Sequence, residues 1–304
     1  MALAAWMRAA GEMRATPGHV QVEGARMHFL QAGEGPDLVL VHGLLGSAAA
    51  WEPSLGQLAL DSTVYAVDAL GIGGSDRVPH LDVSLKATAR RLVAFMDACD
   101  IEQADLVGTS HGGAVVLMFA ALYPERVRSV VLHAPANPFS DIADPLIRFY
   151  RTALGRWFAH QVPGLPAHVK TLALGRMYGD ARRMREGSLE LYVDPLRVPG
   201  TVEYVLGILS RWFDDMDALR TVLGRVRSTP ALLLWGDYDR AVSIRSADAL
   251  MQCFERAEFV LLGGAGHLPF EEVPQAFCAP ISAFLRTLDR QAMEPALGRQ
   301  RDAA

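Results

Sequence analysis

Short apolar runs recur along the chain at 38–41, 63–67, 104–107, 127–132, 231–235 and 258–262, most of them flanked by glycine, proline or polar turn residues. Runs that are apolar at nearly every position, rather than at alternate ones, are expected of strands buried on both faces of a parallel sheet. Between them, apolar residues recur every three or four positions over 48–60, 85–99, 111–123, 244–254 and 274–285, which predicts helices. Strand alternating with helix predicts a doubly wound sheet. Ahead of the first buried run, 19–23 and 26–31 meet across Gly24 and read as an antiparallel hairpin.

One interval breaks the alternation. From 137 to 225 there is no strand-like run, only helical and turn-rich sequence carrying scattered tryptophan, phenylalanine and methionine. A stretch that long inside a sheet domain reads as a helical insertion capping the sheet. The expected organisation is an N-terminal extension (1–18), a core (19–136), a helical cap (137–225), the rest of the core (226–288) and a polar, mobile tail (289–304). The apolar run at 2–7 is cut short by Arg8 and Glu12, so it reads as a frayed or surface helix and not as an export signal. No stretch reaches the ~18 uninterrupted apolar residues of a membrane span.

Composition narrows the function classes. Hydrophobic residues at 51% support a large buried core, and a net charge of -5 leaves no positive field for a nucleic-acid backbone. Cys99, Cys253 and Cys278 stand far apart and form no paired motif, which disfavours a zinc cluster or redox dithiol and fits a reducing, cytoplasmic compartment. The histidines have no ligand spacing, so neither metal nor cofactor is expected. A homo-oligomer is compatible with this composition, which does not fix assembly.

The sharpest chemical signal is Gly108-Thr109-Ser110-His111-Gly112, placed directly after one apolar run and opening a helical one. A serine on such a strand-to-helix turn sits in strained backbone, and small residues two before and two after relieve the crowding. The competing reading is a serine that merely caps the helix. A hydroxyl needs a base, and His267 lies in the glycine-rich loop after the last apolar run, where its side chain can project over the sheet. His42 reads as a buried histidine bonding neighbouring backbone, His111 as pointing away from the serine but near the cleft, and His133 as a strand-end residue behind the site. The orienting carboxylate is expected at Asp239, two residues farther past its strand than the rival Asp237, which looks like a turn residue. Asp68 reads as structural, bonding the amides of the glycine-rich turn that follows it. The backbone N–H groups of His111 and Leu44 are the expected oxyanion donors, with Gly43 permitting close approach.

With these residues in place, the sequence resembles the α/β-hydrolase superfamily over about 19–288. The likeness rests on His42-Gly43, the turn from Asp68 to Asp76, the Ser110 elbow with its double glycine, Gly236 to Asp239, and Gly266-His267. The resemblance implies an eight-stranded, mostly parallel sheet flanked by helices, with a cap, in the branch of capped esterases and carbon–carbon bond hydrolases. Epoxide hydrolases and haloalkane dehalogenases carry an aspartate nucleophile where this chain has Ser110. Hydrolases of aromatic ring-fission products commonly have tryptophan after the catalytic histidine, where this chain has Leu268.

The expected activity is therefore cleavage of a small to medium, largely apolar carboxylic ester through an acyl-enzyme on Ser110. Leu45, Phe139, Trp212, Phe213, Met216 and Leu268 are candidate pocket walls. A carbon–carbon hydrolase of a dienoic keto acid would use the same residues plus a cationic group such as Arg148, Arg151 or Arg211. A binding protein that keeps the triad for recognition is the third class, separated from the others by its failure to turn over an aryl ester.

Overall fold

The computed structural model describes the backbone of residues 15–301 and the side chains of residues 15–291, so the apolar run at 2–7 lies outside the described residues. Its strands are β1 (Thr16–Val22), β2 (Ala25–Ala32), β3 (Asp37–Val41), β4 (Thr63–Val67), β5 (Ala104–Thr109), β6 (Val127–His133), β7 (Ala231–Gly236) and β8 (Ala257–Leu262). They form one eight-stranded sheet in the order β1-β2-β4-β3-β5-β6-β7-β8. The expected hairpin β1–β2 is antiparallel, as is β2–β4, and every pairing beyond is parallel.

Because successive strand residues point to opposite faces, each all-apolar run feeds two cores. Val39, Val41, Leu106, Leu233 and Trp235 enter one, while Leu38, Leu40, Val107, Leu232 and Leu234 enter the other. The helices that cover these faces are α1 (Glu52–Leu58), α2 (Leu85–Ala98) and α3 (His111–Leu122), followed in the insertion by α4 (Asp144–Arg151), α5 (Ala153–Gln161), α6 (Ala167–Gly175), α7 (Ser188–Val193) and α8 (Thr201–Val222). After the insertion come α9 (Ala247–Met251), α10 (Pro269–Glu272) and α11 (Pro274–Arg301). Phe95 of α2 and Phe119 of α3 pack on the first face, and Leu55 of α1 and Phe277 of α11 on the second. Helix α3 is apolar on all sides because it is buried on all sides, from His111 through Ala121.

One expectation needs correction. The run 258–262 was expected to be buried on both faces, yet Phe259 and Leu261 are exposed, since β8 is an edge strand paired only with β7. Helix α11 runs on through the polar segment to Arg301, and Arg286–Asp61 and Arg128–Asp289 ion pairs join it to the core. Helix α8 serves two regions, its Val205 and Leu209 packing with Ile147 of α4 and its Met216 and Leu219 entering the main core.

Candidate active site

Strand β5 ends at Thr109 and α3 starts at His111, so Ser110 alone makes the turn, with φ 53° and ψ -123°. A non-glycine residue held there costs about 1–3 kcal/mol, which the surrounding hydrogen bonds must outweigh. The Ser110 N–H donates to the His133 carbonyl at 3.1 Å, and its own carbonyl accepts from Gly113 and Ala136. The side chain does not cap the helix. A Cβ at Gly108 would fall 2.6 Å from the Gly112 carbonyl oxygen, and one at Gly112 would fall 2.3 Å from that of His42, so both positions admit only glycine. A Cβ at Gly43 would stand 3.2 Å from that of Ser110, which places the 43–46 turn over the elbow. The N–H groups of Leu44 and His111 have no partner among the backbone hydrogen bonds of these turns and remain available as donors.

Strands β7 and β8 run side by side, with Gly236 opposite Leu262, so the loops beyond them emerge together. Asp239 Oδ2 lies 2.7 Å from His267 Nδ1, and Oδ1 accepts from the N–H groups of Ala241 at 2.8 Å and Val242 at 3.0 Å. Trp235 Nε1 donates to the Val242 carbonyl and pins this loop back to β7. Burial alone would raise the Asp239 carboxyl, but the neighbouring His267 imidazole and the donated hydrogen bonds outweigh it and hold the group below the usual carboxylate range. Asp237 is exposed and does not reach the imidazole. With Nδ1–H facing a carboxylate, Nε2 is left as the acceptor. A bond from Ser110 Oγ to Nε2 is not among the hydrogen bonds of this structure; such bonds commonly tighten only with substrate in place.

The sequence matches the alpha/beta hydrolase fold family over residues 36–274. The chain belongs to that family. Among its relatives, the 2-hydroxymuconate semialdehyde hydrolase of Pseudomonas sp. strain CF600 is 27% identical over 280 residues, covering 89% of this chain and 94% of that protein. A pimeloyl-[acyl-carrier protein] methyl ester esterase of Nitrosomonas europaea is 29% identical over 276 residues, 85% of this chain and 99% of the other. Among solved structures, Cfl2 of Burkholderia cenocepacia shares the fold with a TM-score of 0.80 at 22% identity, over 90% of this chain and 95% of that one.

Around the hydrolase-fold elbow, the other polar groups are placed by local bonds. His42 Nδ1 donates to the Gly43 carbonyl at 2.7 Å while Nε2 accepts from Ala69 N–H, so its tautomer is set and it braces the 43–46 turn. Asp68 accepts from Ala48 and Gly74 N–H and pairs with His28, holding the glycine-rich turn. Trp212 lies against His111, ring centroids 6.1 Å apart, and Leu268 is buried beside His267. Leu45 and Phe139 are exposed, and Phe213 lies beneath the guanidinium groups of Arg148 and Arg151. Met216 is buried in the main core, into which the C-terminal half of α8 packs. A cavity of about 30 Å³ beside the turn, room for one water, is lined by His42, His111, Arg91 and Tyr204 among others.

Sequence reasoning missed Glu271 and Glu272, two buried acids at the end of α10. Glu272 accepts from the N–H groups of Gly266, Gly179 and Asp180 and pairs with Arg183, while Glu271 accepts from Tyr178 and Ser188 hydroxyls. The His267 N–H itself donates to the Met177 carbonyl at 2.6 Å. The histidine loop is thereby fastened to the 177–188 segment of the insertion. Two adjacent acids between Phe270 and Val273, just after the histidine, were the available signal.

Two buried imidazoles make the fold acid-sensitive. Burial, with His267 at 5.9 Å adding repulsion, pushes His133 down to about 3, and burial pushes His111 down to about 4. Unfolded imidazoles titrate near 6.5, so as pH falls below that value the unfolded chain takes up protons that the folded chain refuses, and stability is lost. Asp215, raised to about 6 by burial, works the other way: its contribution is present at low pH and lost as pH rises through that value. Denaturant unfolding at pH 7 and pH 5 is expected to show a loss of about 2 kcal/mol, and replacing His133 by Asn should shrink that loss.

Proposed function

We propose that this chain is a serine hydrolase that cleaves a small to medium, largely apolar carboxylic ester through an acyl-enzyme on Ser110. The observations that carry the reading are the Ser110 elbow beneath the 43–46 turn and the 2.7 Å Asp239–His267 pair beyond β7 and β8, joined through His133, whose carbonyl accepts from Ser110 N–H and whose ring lies 5.9 Å from that of His267. In the proposed reaction, Ser110 Oγ attacks the ester carbonyl carbon while its proton passes to His267 Nε2. Asp239 keeps Nδ1–H in place and offsets the charge the ring gains. The oxyanion accepts hydrogen bonds from Leu44 and His111 N–H. His267 then protonates the departing alcohol, and a water activated by the same imidazole releases the acid. Trp212 beside His111 and Leu268 beside His267 supply apolar walls for the acyl or alcohol part. The resemblance to the methyl ester esterases supports this choice of bond.

A carbon–carbon hydrolase reading has one observation in its favour. Arg148 and Arg151 flank Phe213, next to Trp212, where a keto acid's carboxylate could be met. Leu268, where ring-fission hydrolases commonly carry tryptophan, argues against it. Rates on p-nitrophenyl esters from acetyl to dodecanoyl, run beside a ring-fission keto acid, separate the two. We expect kcat/KM to peak at a short to medium acyl chain, at about 10⁴ M⁻¹s⁻¹ or above. Turnover of the keto acid with inert esters would overturn the ester reading.

A further inference from the structure

The insertion leaves an unusual amount of apolar side chain in water. Of α4 and α5 only Ile147 and Gly155 are buried, and α6 buries none of its residues. Leu146, Leu154 and Trp157 are 59, 64 and 60% exposed, and Leu172 of α6 is 72% exposed. A scatter of single exposed apolar residues is ordinary, but four large ones on three consecutive short helices are a local concentration that calls for a partner. Helices α4 and α5 pack on one another, with Phe149 and Phe158 ring centroids 6.2 Å apart, and Lys170 of α6 donates to the Pro163 carbonyl in the turn after α5.

Charge selects the partner. From 144 to 179 the chain has Arg148, Arg151, Arg156, Lys170 and Arg176 against a single acidic residue, Asp144 at the start of α4, 4.0 Å from Arg148, although the whole chain carries a net charge of -5. A second copy docking by the same face would set these cations against their own duplicates. An anionic bilayer takes both features at once: lysine and arginine pair with lipid headgroups while tryptophan and leucine enter the boundary with the acyl chains. No helix among the described residues is long and apolar enough to cross a membrane, so such contact lies on the surface. The buried side of α4 points the same way functionally, since Ile147 and Tyr150 share a small apolar cluster with Leu44 of the turn over Ser110.

We propose that the α4–α6 face is a peripheral docking surface for an anionic phospholipid bilayer. The full chain is expected to cosediment with vesicles of equimolar phosphatidylglycerol and phosphatidylcholine, and to be released as salt rises or as phosphatidylglycerol is removed. The double variant Leu154→Ser, Trp157→Ser should bind at least about tenfold more weakly, through lost apolar burial. Arg156→Gln with Arg176→Gln should weaken binding about 25-fold, each cation near an anionic surface strengthening it about fivefold. Both variants change exposed side chains, so they should keep the melting temperature and the turnover of a water-soluble acetyl ester. Absence of phosphatidylglycerol-dependent binding by folded wild-type protein at low salt would overturn the proposal. So would full binding by the Leu154, Trp157 variant, or a wild-type dimer that this variant dissociates, which would make a second copy the partner. Ester turnover is read separately, so the failure of docking and the failure of the ester reading are distinguishable.

Discussion

Replacing Ser110 with alanine is expected to lower kcat on an aryl ester by about 10⁴ to 10⁶ while leaving the folded protein intact. In the proposed reaction the acyl-enzyme forms on this hydroxyl, while the neighbouring Thr109 hydroxyl is buried and bonded to His133 Nδ1, so removing the Ser110 hydroxyl removes the pathway rather than weakening it. The fold should tolerate the change for a structural reason. Alanine keeps the Cβ, and the strained backbone at φ 53° is held by main-chain bonds from Ser110 to His133, Gly113 and Ala136 that do not involve the side chain. Because the hydroxyl caps nothing, its loss leaves no helix N–H newly unpaired. Melting temperature and kcat therefore separate the two accounts of this serine. A cap would show as lost stability of about 1 kcal/mol with activity kept, and a nucleophile as lost activity with stability kept. A serine-directed phosphonate should modify the wild type once per chain and Ser110→Ala not at all. Retention of more than about a tenth of wild-type turnover in pure Ser110→Ala protein would remove the acyl-enzyme proposal.

What the sequence made legible were features that are local or periodic. Each of Leu38, Val39, Leu40 and Val41 is buried because a parallel strand between covered faces has no polar side, and an all-apolar run states this directly. The Ser110 elbow was readable because its strain demands small residues at fixed offsets, and the Asp239 position because a few residues of chain length decide what can overhang a strand end. What stayed hidden depends on contacts between distant segments. Nothing near Phe259 or Leu261 in sequence says that β8 ends the sheet and leaves them exposed. Met216 has the helical spacing of a pocket wall, but the C-terminal half of α8 packs into the main core and turns it inward. The tie from Glu272 to Gly179 and Asp180 spans about ninety residues of chain, and a carboxylate that finds backbone donors so far away leaves only its unusual apolar setting as a clue.

The choice between the two carboxylates after β7 gives the second large effect. In Asp239 the oxygen Oδ1 is already committed to the N–H groups of Ala241 and Val242, and Oδ2 alone faces His267 Nδ1. An asparagine there would keep its carbonyl oxygen on the two backbone donors and turn its NH₂ toward the imidazole. Two donors cannot face each other, so the ring shifts to the tautomer with Nδ1 unprotonated, and the proton moves to Nε2, the atom that must accept from Ser110. Asp239→Asn is expected to lower kcat by about 10⁴. Asp237 is exposed, and its main-chain N–H, not its side chain, holds the turn by donating to the Leu262 carbonyl. Asp237→Asn should stay within about 0.5 kcal/mol of wild-type stability and keep its turnover. Both variants are compared on one aryl ester at pH 8, where an ordinary imidazole is neutral and ready to take a proton. A dead Asp237→Asn beside an active Asp239→Asn would reverse the assignment. Full activity in both would mean that the His267–Asp239 pair is a structural contact and that Ser110 draws its base from elsewhere.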